Sequence, residues 1–149
     1  MTEHMGAVIV KNDEIISTGY NGAPRGVQNC CDRGTCFKDI MPKPPSGATN
    51  MECRGVHAPM NAIINASRDH MLNSCMYIYG ADITNRILIQ NLDCCAICKR
   101  MIINAGITTV FFADMEIGIP SPIAPYKARI VNVRDWVEDP TYLRMTEDY

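Results

Sequence analysis

His57 and the pair Cys95 and Cys98 are the residues whose types and spacing could do chemistry. Imidazole nitrogen and thiolate sulfur are donors that zinc takes in a tetrahedron, and a catalytic site of this kind keeps one position open for water. Two cysteines three apart at a helix start point the same way, and the positive end of the helix dipole favours their thiolate form. Either piece alone has a plainer reading, since a single His is usually a core or surface residue and a single CxxC can be a redox pair. In this order, with a strand-like stretch between them, they read as a zinc set with an open fourth position. Cys94 directly precedes the pair, and Cys30, Cys31, Cys36 and Cys53 lie upstream. These leave room for a thiol as fourth ligand or for a second metal site, beside the plainer reading of free cysteines in turns.

Such donors need rigid elements to carry them. Residues 57–67 read as a helix with an apolar stripe of Met60, Ile63 and Ile64. Pro59 falls in its first turn, where the early amide hydrogens have no intrahelical acceptor. A second helix runs over about 95–105 and stops at Gly106, a usual residue just past a helix end. Between them lie a strand over 75–79, which includes Cys75, and an extension of the sheet over 86–90. Upstream, strands over 7–10 and 15–18 flank the turn residues Asn12 and Asp13, which predicts a hairpin. The stretch 20–26 is a turn-rich loop, and 28–54 is a long surface loop with Pro42, Pro44, Pro45, Ser46 and Gly47 and one short helical turn near 37–40. Long ordered loops are often functional. Strands over 108–112 and 128–133, separated by a loop over 120–125, complete an alternation that predicts an α/β sandwich around one mixed sheet.

The composition bounds the function. A chain of 149 residues, 47% hydrophobic, suits a single domain over 1–149 with one core and no internal repeat. A net charge of −2 gives no basic footprint for a polyanion, so free nucleotides are better partners than nucleic acid. The start of the chain shows no charged region followed by a long apolar run, and no stretch approaches the roughly 20 apolar residues of a membrane span. A soluble, cytoplasmic protein is expected. Its eight cysteines then read as thiols and ligands rather than as a disulfide framework.

Four motifs follow one another along the chain: Gly19-Tyr20-Asn21-Gly22-Ala23-Pro24-Arg25-Gly26, His57-Ala58 with Asn61-Ala62-Ile63, Cys95-Ala96-Ile97-Cys98, and Ile103-Asn104-Ala105-Gly106-Ile107. In succession they resemble those of the deoxycytidylate deaminase family within the cytidine deaminase superfamily. The likeness runs from Gly6 to about Asp135. It implies a three-layer α/β/α sandwich around a five-stranded mixed sheet, zinc on His57, Cys95 and Cys98, and a pyrimidine nucleotide such as deoxycytidylate over the metal. By position, Asn21 would touch the sugar, the Ala58 backbone amide would meet the base, and Arg25 is the candidate for the phosphate. The implied reaction is hydrolytic deamination of a cytosine nucleotide.

Zinc deaminases carry H-x-E and then P-C-x-x-C, with the Glu shuttling protons rather than binding metal. Here Pro59 stands at the Glu position and Cys94 at the position of the Pro. No catalytic residue is therefore assured. Glu52 and Asp93 are the nearest carboxylates in sequence, and both read as solvated loop acids. The resulting expectation is a deaminase-family protein with catalysis impaired or lost, or rescued by another acid. The alternative is a zinc-stabilised pseudoenzyme that binds a nucleotide or a partner; a polynucleotide deaminase is disfavoured by the charge. The helix that the resemblance places before the first strand is expected to be absent here, which would leave apolar sheet surface to be covered and predicts a homo-oligomer.

Overall fold

The computed structural model describes residues 3–35, 53–85, 87–89, 91–114 and 127–139. Strand β1 (Glu3–Lys11) and strand β2 (Glu14–Tyr20) form the expected hairpin. Asn12 and Asp13 both take left-handed backbone angles, φ 51° and 64°, as a two-residue turn between twisted strands requires. Strand β3 (Cys75–Asp82) lies antiparallel on the other side of β1, and β4 (Ile87–Leu88) pairs with Ala81 and Asp82 at its end. Strand β5 (Thr109–Asp114) runs parallel to β3, and β6 (Lys127–Asn132) closes the far edge antiparallel to β5. The path β2-β1-β3-β5-β6 is the five-stranded mixed sheet read from the sequence, with β4 as an addition at the end of β3.

The register aligns one apolar face. Ala7 stands opposite Gly19 and Ile78, Ile9 opposite Ser17 and Met76, and Met76 and Ile78 opposite Val110 and Phe112. All of these are buried, and helices cover them. Helix α1 (Cys30–Arg33) is a single exposed turn in the loop after β2. Helix α2 (Ala58–Ile64) packs on β1 and β2, α3 (Arg68–Met71) seats Met71 in the core, and α4 (Ala96–Ala105) buries Cys98, Ile102 and Ala105. Helix α5 (Val133–Glu138) packs against α4 and adds Val133 and Trp136 to the same core. On the opposite face Thr18, Val8, Tyr77, Phe111 and Ile130 form one row across the strands, and the Tyr77 and Phe111 rings stack with centroids 4.6 Å apart. A second helical layer over that face is not among the described residues.

Several boundaries differ from the sequence reading for local reasons. The helix expected over 57–67 ends at Ile64, where the Asn65 side chain turns to donate to the Thr18 carbonyl, and Ser67 caps a separate helix, α3. The strand expected over 128–133 stops at Asn132, whose side chain accepts from the Arg134 amide and starts α5. Helix α1 was not expected. The helical turn near 37–40 and the loop over 120–125 lie outside the described residues. Among the described residues no helix is long and apolar enough to cross a membrane.

Candidate metal centre

Two helix starts carry all of the donors. His57 caps α2 and Cys95 caps α4, both in extended backbone, and Cys98 follows in the first turn of α4. Helix α2 is stitched to β2 by three side chains: Ser17 donates to the Ala62 carbonyl (2.7 Å), Asn61 to the Tyr20 carbonyl (2.7 Å) and Asn65 to the Thr18 carbonyl (3.0 Å). Gly19 allows this approach, because a Cβ there would lie 2.2 Å from the Ala62 nitrogen. His57 is thus fixed by the packing of the helix it caps. On the other helix, the Cys95 sulfur accepts from the Cys98 amide at 3.5 Å.

His57 Nδ1 lies 3.3 Å from Cys95 Sγ and 3.4 Å from Cys98 Sγ, and the ligand atoms of all three residues fall within 4.8 Å of one another. Zinc–nitrogen bonds of about 2.0 Å and zinc–sulfur bonds of about 2.3 Å set tetrahedral N–S edges of roughly 3.6 Å, so this donor set fits the ion. The thiols are polarised for it. Cys95 is lowered to about 4, chiefly by the hydrogen bond from Cys98, with His57 and the Cys98 amide adding to it against the effect of burial. Cys98 is pushed up by its bond to Cys95, by burial and by the charges of Cys95 and Cys94. Burial, with the charges of Asp93 and Cys95, raises Cys94 to about 12, which keeps it a thiol.

The donors open into a cavity of about 470 Å³, the size of a small-molecule site. It is lined by His57, Ala58, Pro59, Cys95 and Cys98 together with the apolar side chains of Met5, Ile78, Ile89 and Leu92. Glu3, Asn21, Asp93, Cys30 and Cys53 also line it. Asn21 is partly engaged: its Oδ1 accepts from the Met5 amide (2.8 Å) and its Nδ2 donates to the Glu3 carbonyl (3.0 Å). Ala58 is fully buried at the first position of α2 and faces the same cavity. Arg25 is not among the lining residues; its guanidinium donates to Asn65 Oδ1 at 2.8 Å.

Pro59 lines the cavity, buried, at the second position of the helix, and brings no ionisable group. Of the two nearest carboxylates read from the sequence, Asp93 lines the cavity and Glu52 lies outside the described residues. Asp93 is the exposed loop acid expected, and it is also ion-paired: Lys99 lies 2.8 Å and Arg129 3.7 Å from it. Cys30 and Cys53 line the cavity without joining the metal-ligating group, Cys31 is exposed, and Cys36 lies outside the described residues. Glu3 and Met5 were missed in the sequence. They reach the site because β1 runs antiparallel to β3, with Glu3 opposite Asp82 and Met5 opposite Gly80, at the end of β3 from which the chain passes towards Cys95.

A His and a CxxC pair, brought together by two helix starts over a mixed sheet, define a zinc centre of the deaminase type. A family profile described as the cytidine and deoxycytidylate deaminase zinc-binding region matches residues 1–114, and the chain belongs to that family. It is 31% identical over 114 residues to the deoxycytidylate deaminase of Mycobacterium phage D29, covering 72% of this chain and 76% of that protein. The deoxycytidylate deaminase of Enterobacteria phage T4 is 30% identical over 138 residues, covering 74% of this chain and 66% of the relative. Among solved structures, the dCMP deaminase of cyanophage S-TIM5 in its apo form is similar with a TM-score of 0.45 and 24% identity, over 77% of this chain and 69% of that one.

Proposed function

We propose that this chain binds a pyrimidine nucleotide such as deoxycytidylate in the cavity over a zinc held by His57, Cys95 and Cys98, and that its hydrolytic deamination is impaired or lost. The observation that carries this reading is Pro59 lining the same cavity as the metal ligand His57. Zinc, when bound, supplies Lewis-acid activation of water. Turning cytosine to uracil also requires a proton on the ring nitrogen and another on the departing ammonia. The family's Glu carries those protons; a proline has neither an exchangeable proton nor a basic lone pair. General acid and base groups contribute about 10²–10⁴-fold, or roughly 3–5 kcal/mol of barrier, and here one residue would serve both roles. The Ala58 amide and the Asn21 side chain are suited to hold base and sugar. The same features support a pseudoenzyme that keeps the zinc for stability and the cavity for a nucleotide or partner. For the assembled protein we propose a homo-oligomer, supported by the exposed row of Tyr77 and Ile130 on the second face of the sheet.

A coupled assay for ammonia or deoxyuridylate on the unmodified chain and on Pro59→Glu, with deoxycytidylate binding followed by calorimetry, tests this reading. Turnover by the unmodified chain is expected at least roughly a hundredfold below a typical enzymatic 10 s⁻¹, with binding retained. Turnover at the typical rate overturns the loss of catalysis and directs attention to Glu3 and Asp93, the carboxylates in the cavity.

A further inference from the structure

We infer that Asp93 is a positioning residue for the metal centre, which it holds in register through Lys99 and Arg129; the inference rests on the zinc reading above. Asp93 stands two residues before the ligand Cys95, in the segment that leads into α4. One carboxylate oxygen accepts from the Cys94 amide at 2.9 Å, and the other takes the Lys99 ammonium at 2.8 Å. The Arg129 guanidinium lies 3.7 Å from Asp93 and donates to the neighbouring Leu92 carbonyl. Two cations, from α4 and β6, thereby fasten the segment that leads into α4.

The arrangement differs from a pair of loose surface charges in how its cations are held. Arg129 lies over the ring of the buried Phe112, 4.3 Å from its centroid, and Lys99 lies 5.3 Å from the centroid of the Trp136 ring. The Lys99 side chain is only 19% exposed. Long flexible side chains usually lose much of an ion pair's value to the entropy of holding one geometry; aromatic seats remove part of that freedom beforehand. Lys99 also follows the ligand Cys98 directly and caps no other acid among the ion pairs of the described residues. The carboxylate therefore couples the two cysteine positions of α4 to β6 and, through Trp136, to α5. Groups that orient metal ligands from outside typically change metal affinity by about 10–100-fold when removed. Asp93 acts through a backbone amide and two cations rather than on a sulfur, so the lower end, about tenfold, is expected.

The test compares the unmodified chain with Asp93→Ala and Asp93→Asn. Zinc affinity is measured by competition with a chromophoric chelator, the ligand field by the visible spectrum of the cobalt-substituted proteins, and the fold by the thermal midpoint of the metal-free proteins. Asp93→Ala is expected to weaken zinc binding about tenfold and to alter the cobalt bands, while the metal-free midpoint moves by only about 2 °C, as for other exposed substitutions. Asp93→Asn keeps an acceptor for the Cys94 amide without the charge, and should fall between the two. An affinity for Asp93→Ala within twofold of the unmodified chain overturns the inference, and so does a loss accompanied by unchanged cobalt bands. An unmodified chain that binds no zinc overturns the zinc reading as well, which separates the two failures.

Discussion

Replacing Gly19 with alanine is expected to damage both the fold and the metal site through a single methyl group. A Cβ built at Gly19 would lie 2.2 Å from the Ala62 nitrogen, 2.4 Å from the Ala58 carbonyl oxygen and 2.8 Å from the Asn61 carbonyl carbon. All three are backbone atoms, so no rotamer change relieves the clash. Carbon contacts settle near 3.5 Å or beyond, which means that α2 must retreat by roughly 1 Å. Overpacking of this kind destabilises by about 1–3 kcal/mol, and two facing backbones put this case at the upper end. At this chain length each kcal/mol lowers the thermal midpoint by about 3–4 °C, so a fall of roughly 10 °C is expected. His57 caps the displaced helix, and metal–ligand distances tolerate only about 0.2 Å, so zinc affinity should fall with the stability. Gly6 supplies the control, since a Cβ there meets nothing within 4 Å. Thermal melts and chelator competition on Gly19→Ala and Gly6→Ala decide the matter. A Gly19→Ala protein that melts within about 2 °C of the unmodified chain and keeps its zinc would refute the packing account of how His57 is placed.

The remaining expectations can be stated together. Cys98→Ser should lower zinc content and thermal stability at once, because ligation in such sites is coupled to folding; retention of full zinc by this variant would remove Cys98 from the ligand set. Pro59→Glu should raise deamination above that of the unmodified chain if the helix start accepts a carboxylate aimed at the metal, and a zinc-loaded variant with no gain would count against the missing proton carrier as the cause. In metal-free protein, Cys95 is lowered from 9.0 to about 4 and Cys94 raised to about 12, so alkylation followed by mass spectrometry should modify Cys95 well before Cys94 at mildly acidic pH. The sign for stability follows from the directions of the shifts: the lowered Cys95 thiol contributes stability that is lost as the pH falls towards about 4, while the raised Cys98 and Cys94 thiols oppose it as the pH rises through the ordinary thiol range. Equal labelling of the two thiols would contradict this. Light scattering at micromolar concentration should return a mass above one chain, and a stable monomer would leave the exposed sheet face without its proposed cover.

The parts legible in the sequence are those governed by short-range chemistry. Asn12 and Asp13 announce the hairpin because few other residues accept left-handed angles in succession. Gly106 ends α4 at φ 81° for the same reason. The zinc donors are visible because a His and a CxxC pair at helix starts have few other uses together. What escaped depends on contacts between distant strands. The role of Gly19 follows from its register opposite Ala7 beneath α2, and nothing in the neighbouring residues signals it. Asp93 is the exposed acid its loop position suggests, but its ion pairs escaped because the partners lie on the next helix and on a strand 36 residues further along, which β5 and β6 bring back beside it. Helix α5 was hidden because Val131 and Val133 continue an apolar pattern that only the Asn132 cap interrupts.

X-ray absorption at the zinc edge of the purified chain, with zinc counted per protein, tests the central claim most directly. One zinc per chain is expected, with a first shell of two sulfurs at about 2.3 Å and two nitrogen or oxygen atoms at about 2.0 Å, as His57, Cys95, Cys98 and an open fourth position require. A protein without zinc, or a shell of three or more sulfurs, would contradict an open centre on these residues.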